Sequence, residues 1–296
     1  MTQRLLAVHA HPDDESSKGA ATYAHYRSIG TQVLVVSCTG GERGDIQNDT
    51  LAPKAMAGRD MAGLRRLEMA QAQAAIGFDH RWLGYQDSGL PEADESGARE
   101  PVPANSFALI PLEIAAEPLV KIIREFRPQV LLTYDETGGY PHPDHIRTHE
   151  ISLYAFEAAA DASRYPGAGE AWQVSKVYYD RIFNAPRIEA MYQYLITNQP
   201  ETPHLAQLEE IRGWMKDRPN LTTTQVHVAD FLESRDRALR AHASQVSPDS
   251  AFFFWPNDLQ REVWPYEDFQ LAISLVDSPL PESDLFAGIT AEEVSA

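Results

Sequence analysis

Two short runs concentrate the groups that can do chemistry. HPDDE, from His11 to Glu15, and HPDH, from His142 to His145, each set histidine against carboxylate within a few residues. Two histidines and one carboxylate can hold a divalent metal and leave coordination positions open, as a catalytic zinc site requires. The lone cysteine, Cys38, argues against a closed, structural zinc site. A helix starting near Glu15 needs one aspartate, Asp13 or Asp14, as its cap. That leaves His11 and the second aspartate unexplained. His9 would share the strand face of His11 and reads as a structural or ligand-orienting residue. His149, one turn past His145, and the isolated His25, His80, His204 and His227 read as structural.

These groups have to be carried by the elements around them. Apolar runs recur as RLLAVHA, QVLVVSCT and QVLLTYD, separated by helix-spaced segments such as GLRRLEMAQAQAAIG and LEIAAEPLVKIIREF. Strand alternating with helix predicts an α/β fold with a mostly parallel sheet, in which ligands bind outside the carboxyl ends of the strands. The three runs end in HPDDE, TGGERGD and YDETGGYPHPDH. VSKVYYDRI and TTTQVHV read as further strands, with a helical stretch over 186–219 between them, and FLESRDRALRAHASQV reads as an amphipathic helix. Residues 92–105 read as an exposed loop and the end from Thr290 as frayed. We expect a core over 1–165, with 166–296 completing the sheet and the substrate pocket as a smaller lobe of one continuous domain. Cys38, inside an apolar run, reads as a buried thiol.

The 296 residues carry 43 acidic against 25 basic side chains, a formal net charge of −18. Such a chain repels phosphate backbones and anionic membrane surfaces, which argues against nucleic-acid and membrane partners. No run approaches the roughly 20 apolar residues of a membrane span, and the first apolar run is too short for a secretory signal, so a cytoplasmic location is expected. The first strand runs into HPDDE where a dinucleotide-binding protein needs GxGxxG.

AVHAHPDDESSKGA, TGGERGD, TYDETGGYPHPDH and RALRAHASQ together resemble the LmbE-like or PIG-L-like family of zinc-dependent deacetylases and amidases. TGGERG, DSGLP, DLFAG and Lys18 resemble in particular its amidase branch, which acts on S-conjugates of mycothiol. The resemblance implies a Rossmann-like fold and one zinc per chain, bound by His11, Asp14 and His145; ferrous iron accepts the same ligand set. It implies that Asp13 is the general base for the attacking water and that Tyr140, beside Gly138 and Gly139, donates to the oxyanion. His142 would assist the transition state or protonate the leaving amine, with Asp144 orienting it. Arg65, or Arg66 in its place, and Asp87 would contact the glucosaminyl-inositol portion, and Lys18, which marks the amidase branch, and His242, near the rim, would also bind substrate. The implied reaction cleaves the amide of small-molecule mycothiol conjugates, in a monomer or small homo-oligomer, and the alternative is N-acetylglucosaminyl-inositol deacetylation. The stretch 187–220 matches the family pattern least.

Overall fold

The computed structural model describes residues 2–92, 100–250 and 253–290. The strands are β1 (Arg4–His9), β2 (Gln32–Thr39), β3 (Asp79–Tyr85), β4 (Val130–Thr133), β5 (Lys176–Asp180), β6 (Thr224–His227) and β7 (Tyr266–Ser274). The helices are α1 (Asp14–Ser17), α2 (Ala20–Ser28), α3 (Lys54–Arg59), α4 (Met61–Ile76), α5 (Leu112–Phe126), α6 (Pro143–Ala160), α7 (Ala185–Asn198), α8 (His204–Met215), α9 (Leu232–Ala241) and α10 (Asn257–Val263). All seven strands form one sheet in the order β3-β2-β1-β4-β5-β7-β6. The first five are parallel, and β7 runs antiparallel to both β5 and β6.

The central strands are apolar on both faces because helices cover both. Leu5 and Ala7 of β1, with Val33 and Val35 of β2, pack toward α2, α4 and α9. Leu6 and Val8, with Leu34 and Val36, pack toward α5 and α6. A separate cluster, including Ile188, Met191, Leu208 and Ile211, joins α7, α8 and α10.

Neither β3 nor β7 was expected. DHRWLGY is an edge strand with no fully buried residue, so it lacks the apolar run of its neighbours. YEDFQLAIS has acids at its second and third positions and buries only two residues, Asp268 and Phe269. Of the expected loop over 92–105, residues 93–99 lie outside the described residues, as does the end beyond Thr290.

The sheet order fixes where a site can form. The chain leaves β1 for β2 on one side, while β4 pairs with β1 on the other. The connections diverge there, opening a crevice at the carboxyl ends of β1 and β4. HPDDE follows β1 and HPDH follows β4. Local chemistry sets the second run's entry: His142 Nδ1 accepts the Asp144 N–H at 3.1 Å, and Pro143 occupies the first helical turn of α6, where no N–H is needed.

Candidate active site

Strand β1 ends on His9, whose Nε2 meets the Tyr23 hydroxyl at 2.8 Å and whose Nδ1 meets that of Tyr134 at 3.3 Å. Burial pulls its pKa down to about 4, so the ring is neutral near pH 7. The Tyr134 hydroxyl also accepts the Ala10 N–H at 2.9 Å, and its ring stacks on His145 with centroids 4.4 Å apart. His9 therefore supports the site through Tyr134 and does not enter it.

The chain then turns sharply. The His11 N–H donates to Asp14 Oδ2 at 3.0 Å, and Asp13 takes φ 111°, a left-handed conformation that costs a non-glycine residue energy. Asp13 occupies the N-cap position of α1 without capping it through its side chain. Both aspartates are thus used for something other than starting the helix.

Ligand atoms of His11, Asp14 and His145, all buried, lie within 4.8 Å of one another. His145 Nδ1 is 2.9 Å from the Gly138 carbonyl, an acceptor, so Nδ1 carries the proton and Nε2 presents a lone pair. Nε2 is buried without a hydrogen-bond partner and faces Asp14 Oδ2 at 3.3 Å. A lone pair opposite a carboxylate oxygen calls for a cation between them, so these residues fit a metal. Gly138 has φ +73°, and a Cβ there would stand 2.6 Å from that of His145; only glycine lets this carbonyl reach the ring. A second group, His11, Asp87 and His142, satisfies the same distance test and shares His11. Burial alone would lower the His11 pKa, but the carboxylates of Asp14, Asp144 and Asp87 hold it well above its ordinary value.

Asp13 stands beside the trio without belonging to it. Its Oδ2 accepts from Arg65 Nη2 at 2.8 Å. Burial raises its pKa, and the Arg65 guanidinium opposes the rise. Arg65 also donates to the carbonyls of Gly41, at 2.8 Å, and Pro12. A Cβ on Gly41 would lie 2.0 Å from the guanidinium, which explains a glycine in the TGGERGD loop. Tyr140 is 42% exposed, with its ring centroid 4.5 Å from that of His145.

Several expected contacts differ from the geometry. The Asp144 carboxylate does not orient His142: it accepts from Ser88 N at 2.9 Å and from the Ser88 hydroxyl, and faces His11 Nε2 at 3.2 Å. His142 is held by the Asp144 main-chain N–H instead. His242 is fully buried rather than at the rim, its Nε2 2.7 Å from Glu15 Oε1. Arg65 and Asp87 are buried in protein contacts; Asp87 accepts from the N–H groups of Arg43 and Gly89 at 2.9 and 2.8 Å. Arg66, the alternative to Arg65, packs over the Trp82 ring at 5.5 Å. Lys18 is buried and bonded to Asp14 Oδ1. Cys38 is buried, its thiol pushed up to about 12 by burial. Sequence reasoning passed over Glu15, Ser88 and Asp180, although the first two stand inside HPDDE and DSGLP. Asp180, at the end of β5, lines the cavity beside the site, and burial raises its pKa to about 7.

Fold and side chains together define a Rossmann-like α/β protein with a His/Asp group able to hold a metal at the carboxyl ends of β1 and β4. The family model described as PIG-L: GlcNAc-PI de-N-acetylase matches residues 6–156. The mycothiol S-conjugate amidase of Streptomyces coelicolor is 52% identical over 288 residues, 97% of this chain and 97% of that protein. The 1D-myo-inositol 2-acetamido-2-deoxy-alpha-D-glucopyranoside deacetylase of Streptomyces griseus is 39% identical over 97% of this chain and 89% of its own. The N,N'-diacetylchitobiose deacetylase from Pyrococcus horikoshii shares the fold, with TM-score 0.60 and 18% identity over 91% of this chain and 83% of that one. The chain belongs to the PIG-L family.

Proposed function

We propose that this protein hydrolyses the amide between the cysteinyl group and glucosamine in mycothiol S-conjugates, releasing a mercapturic acid and glucosaminyl inositol. The observation that carries the reaction type is the division of labour between Asp13 and Asp14: one carboxylate points into the metal-capable trio, and its neighbour is held beside it by Arg65. The substrate follows from likeness to the Streptomyces coelicolor amidase along nearly the whole chain. The protein works in the cytoplasm on small molecules; among the described residues no helix is long and apolar enough to cross a membrane.

His11, Asp14 and His145 would hold the metal, zinc or ferrous iron, one per chain. When bound, it supplies a Lewis acid for the carbonyl and lowers the pKa of water toward about 7. Asp13 takes the proton of the attacking water; its raised pKa improves it as a base. Tyr140 donates its hydroxyl proton in a hydrogen bond to the oxyanion as the carbonyl becomes tetrahedral. Burial, reinforced by His11 and His145, pulls the His142 pKa down to about 2, so this ring is neutral near pH 7. With Nδ1 accepting from Asp144 N, its Nε2 carries the hydrogen. His142 therefore acts as a hydrogen-bond donor to the transition state. Asp13 returns its proton to the leaving nitrogen as the C–N bond breaks.

Asp13→Asn is the direct test: metal content should persist while turnover drops by about 10²–10⁴, and near-normal turnover would assign the base elsewhere. A second reading, N-acetylglucosaminyl-inositol deacetylation, is favoured by likeness to the Streptomyces griseus deacetylase. Parallel assays on an S-conjugate and on the N-acetyl sugar separate the two. We expect the larger kcat/KM on the conjugate, and cleavage of the N-acetyl sugar alone would reverse the assignment.

A further inference from the structure

The cavity that opens beside Asp13 and Asp14 has a volume of ≈ 580 Å³ and a mixed lining. Its polar lining includes Asp13, Asp14, Lys18 and Tyr140 of the reaction site together with Gln47, Asp180, Arg218 and Gln245. Its apolar wall includes Ile182, Phe183, Trp214, Met215, Leu239 and Val246. These six come from separate places: the loop after β5, the end of α8, the end of α9 and the loop beyond it. All lie outside residues 6–156, the part matched by the family model, whereas the candidate ligands and Asp13 lie inside it. The part of the chain that builds this wall is thus distinct from the part that carries the family's chemistry.

Resting on the amide-hydrolase reading above, we propose that this wall seats the S-substituent of the conjugate and selects apolar, ring-sized groups. A mycothiol conjugate has a hydroxyl-rich glucosaminyl-inositol half and an acyl half that ends in the sulfur substituent. Hydroxyls laid against these six side chains would lose water partners without replacement from them, whereas Asp13, Asp14, Lys18, Asp180 and Arg218 in the same cavity can satisfy a hydroxyl. An apolar substituent gains by the same burial. The wall therefore matches the acyl half, which places the polyol on the opposite side of the scissile bond. Trp214, 56% exposed on α8, offers a broad face at low cost in side-chain ordering.

The test uses the metal-loaded full chain with the S-methyl and S-benzyl conjugates of mycothiol as probes. The parent should prefer S-benzyl in kcat/KM by about tenfold or more, the scale on which apolar pockets discriminate. Trp214→Ala and Ile182→Ala should each cut that preference about tenfold, chiefly through KM for the S-benzyl conjugate, since the substituent is bound alike in ground and transition states. Trp214 is exposed and Ile182 half-buried, so the pair reads the wall without emptying the core. If both conjugates are cleaved and the ratio stays within about twofold in both variants, the subsite is overturned and the reaction stands. If neither conjugate is cleaved, the amide-hydrolase reading falls and the subsite with it.

Discussion

Asp13 is held in an unfavourable conformation, and the structure shows what holds it. Its N–H donates to Glu15 Oε2 at 2.9 Å. Glu15 is fixed in turn by the Ser16 hydroxyl at 2.5 Å and by His242 Nε2 at 2.7 Å, and both Glu15 and His242 are fully buried. Burial would raise the Glu15 pKa, but the charge and hydrogen bond of His242 prevail and bring it down to about 2. Glu15 is thus a carboxylate throughout the neutral range. Its hydrogen bond to Asp13 is charge-assisted, a class worth about 1.5–3 kcal/mol. A non-glycine residue at positive φ costs about 1–3 kcal/mol. The two are of one size, so removing the hydrogen bond lets the turn relax and Asp13 leave its place.

At about 1.4 kcal/mol per decade, Glu15→Ala should lower kcat/KM by roughly 10- to 100-fold. If the loss passes through Asp13, it should nearly vanish where Asp13 is already disabled. In an Asp13→Asn background we expect less than about threefold further loss. Glu15→Gln keeps an oxygen for the Asp13 N–H and should recover most of the activity. The assay is a double-mutant cycle in kcat/KM on one S-conjugate, with metal per chain measured for every variant. Losses that multiply in full would refute the argument, because they would mean that Glu15 acts on the site by a route independent of Asp13.

Tyr140→Phe should lower kcat about 10²-fold with little change in KM, as expected for a donor aimed at the oxyanion; a pure KM effect in steady-state kinetics would make Tyr140 a ground-state contact. Asp14→Ala and His145→Ala should each lose metal in equilibrium dialysis against zinc, whereas Asp87→Asn should retain it; metal kept by the first two would remove the trio as the site. Glu282 is buried and takes hydrogen bonds from Lys176, Tyr178 and Thr224, which prevail over burial and depress its pKa. Its stabilising effect is present above the unfolded pKa, near 4.5, and is lost as pH falls through the folded value. Lys176→Met strands that carboxylate and should cost about 3–5 kcal/mol in urea melts at neutral pH. The gap from the parent should narrow as pH falls, first as the stranded carboxylate of the variant protonates and then as pH passes below the ordinary carboxylate range toward the parent's depressed folded value, and a gap that ignores pH would exclude this ion pair as the cause.

The sequence made the centre of the sheet legible, because parallel strands covered on both faces must be apolar throughout. Runs such as RLLAVH and QVLVVSCT have no other explanation in a chain of this composition. Edge position hid β3, whose residues alternate between exposed and half-buried. The two histidine motifs were legible because metal ligands and helix entry impose residue types at fixed spacing. Side-chain direction was not legible. Asp144 lies two residues from His142 and was expected to orient it, yet its carboxylate turns to Ser88, which comes from the loop after β3. Likewise Arg65 and His242 were read as facing substrate. They reach the site from beneath, through Asp13 and Glu15, and only the packing of α4 and of the turn after α9 against the β1 loop reveals it.

His11 belongs to two possible ligand groups, and hydrogen-bond accounting decides between them. In the group with Asp87 and His142, both carboxylate oxygens already accept main-chain N–H donors, Oδ1 from Gly89 and Oδ2 from Arg43, and His142 Nδ1 is taken by Asp144 N. The carboxylates do not separate the two groups, because Asp14 also accepts at both oxygens, from the His11 N–H and from Lys18; the histidines do. In the group with Asp14 and His145, the Nε2 lone pair of His145 has no partner, and it faces an anionic oxygen across 3.3 Å. That arrangement is unfavourable as it stands and is relieved by a cation. The difference favours Asp14 and His145 as ligands and leaves Asp87 with another task, a fixed negative charge 3.6 Å from His11 Nε2 that helps to set the ring's orientation. Asp144, 3.2 Å from the same nitrogen, does so from α6. The carboxylates in excess of what a metal needs thus act on His11, and their expense in burial is met by Ser88, Gly89 and the TGGERGD loop.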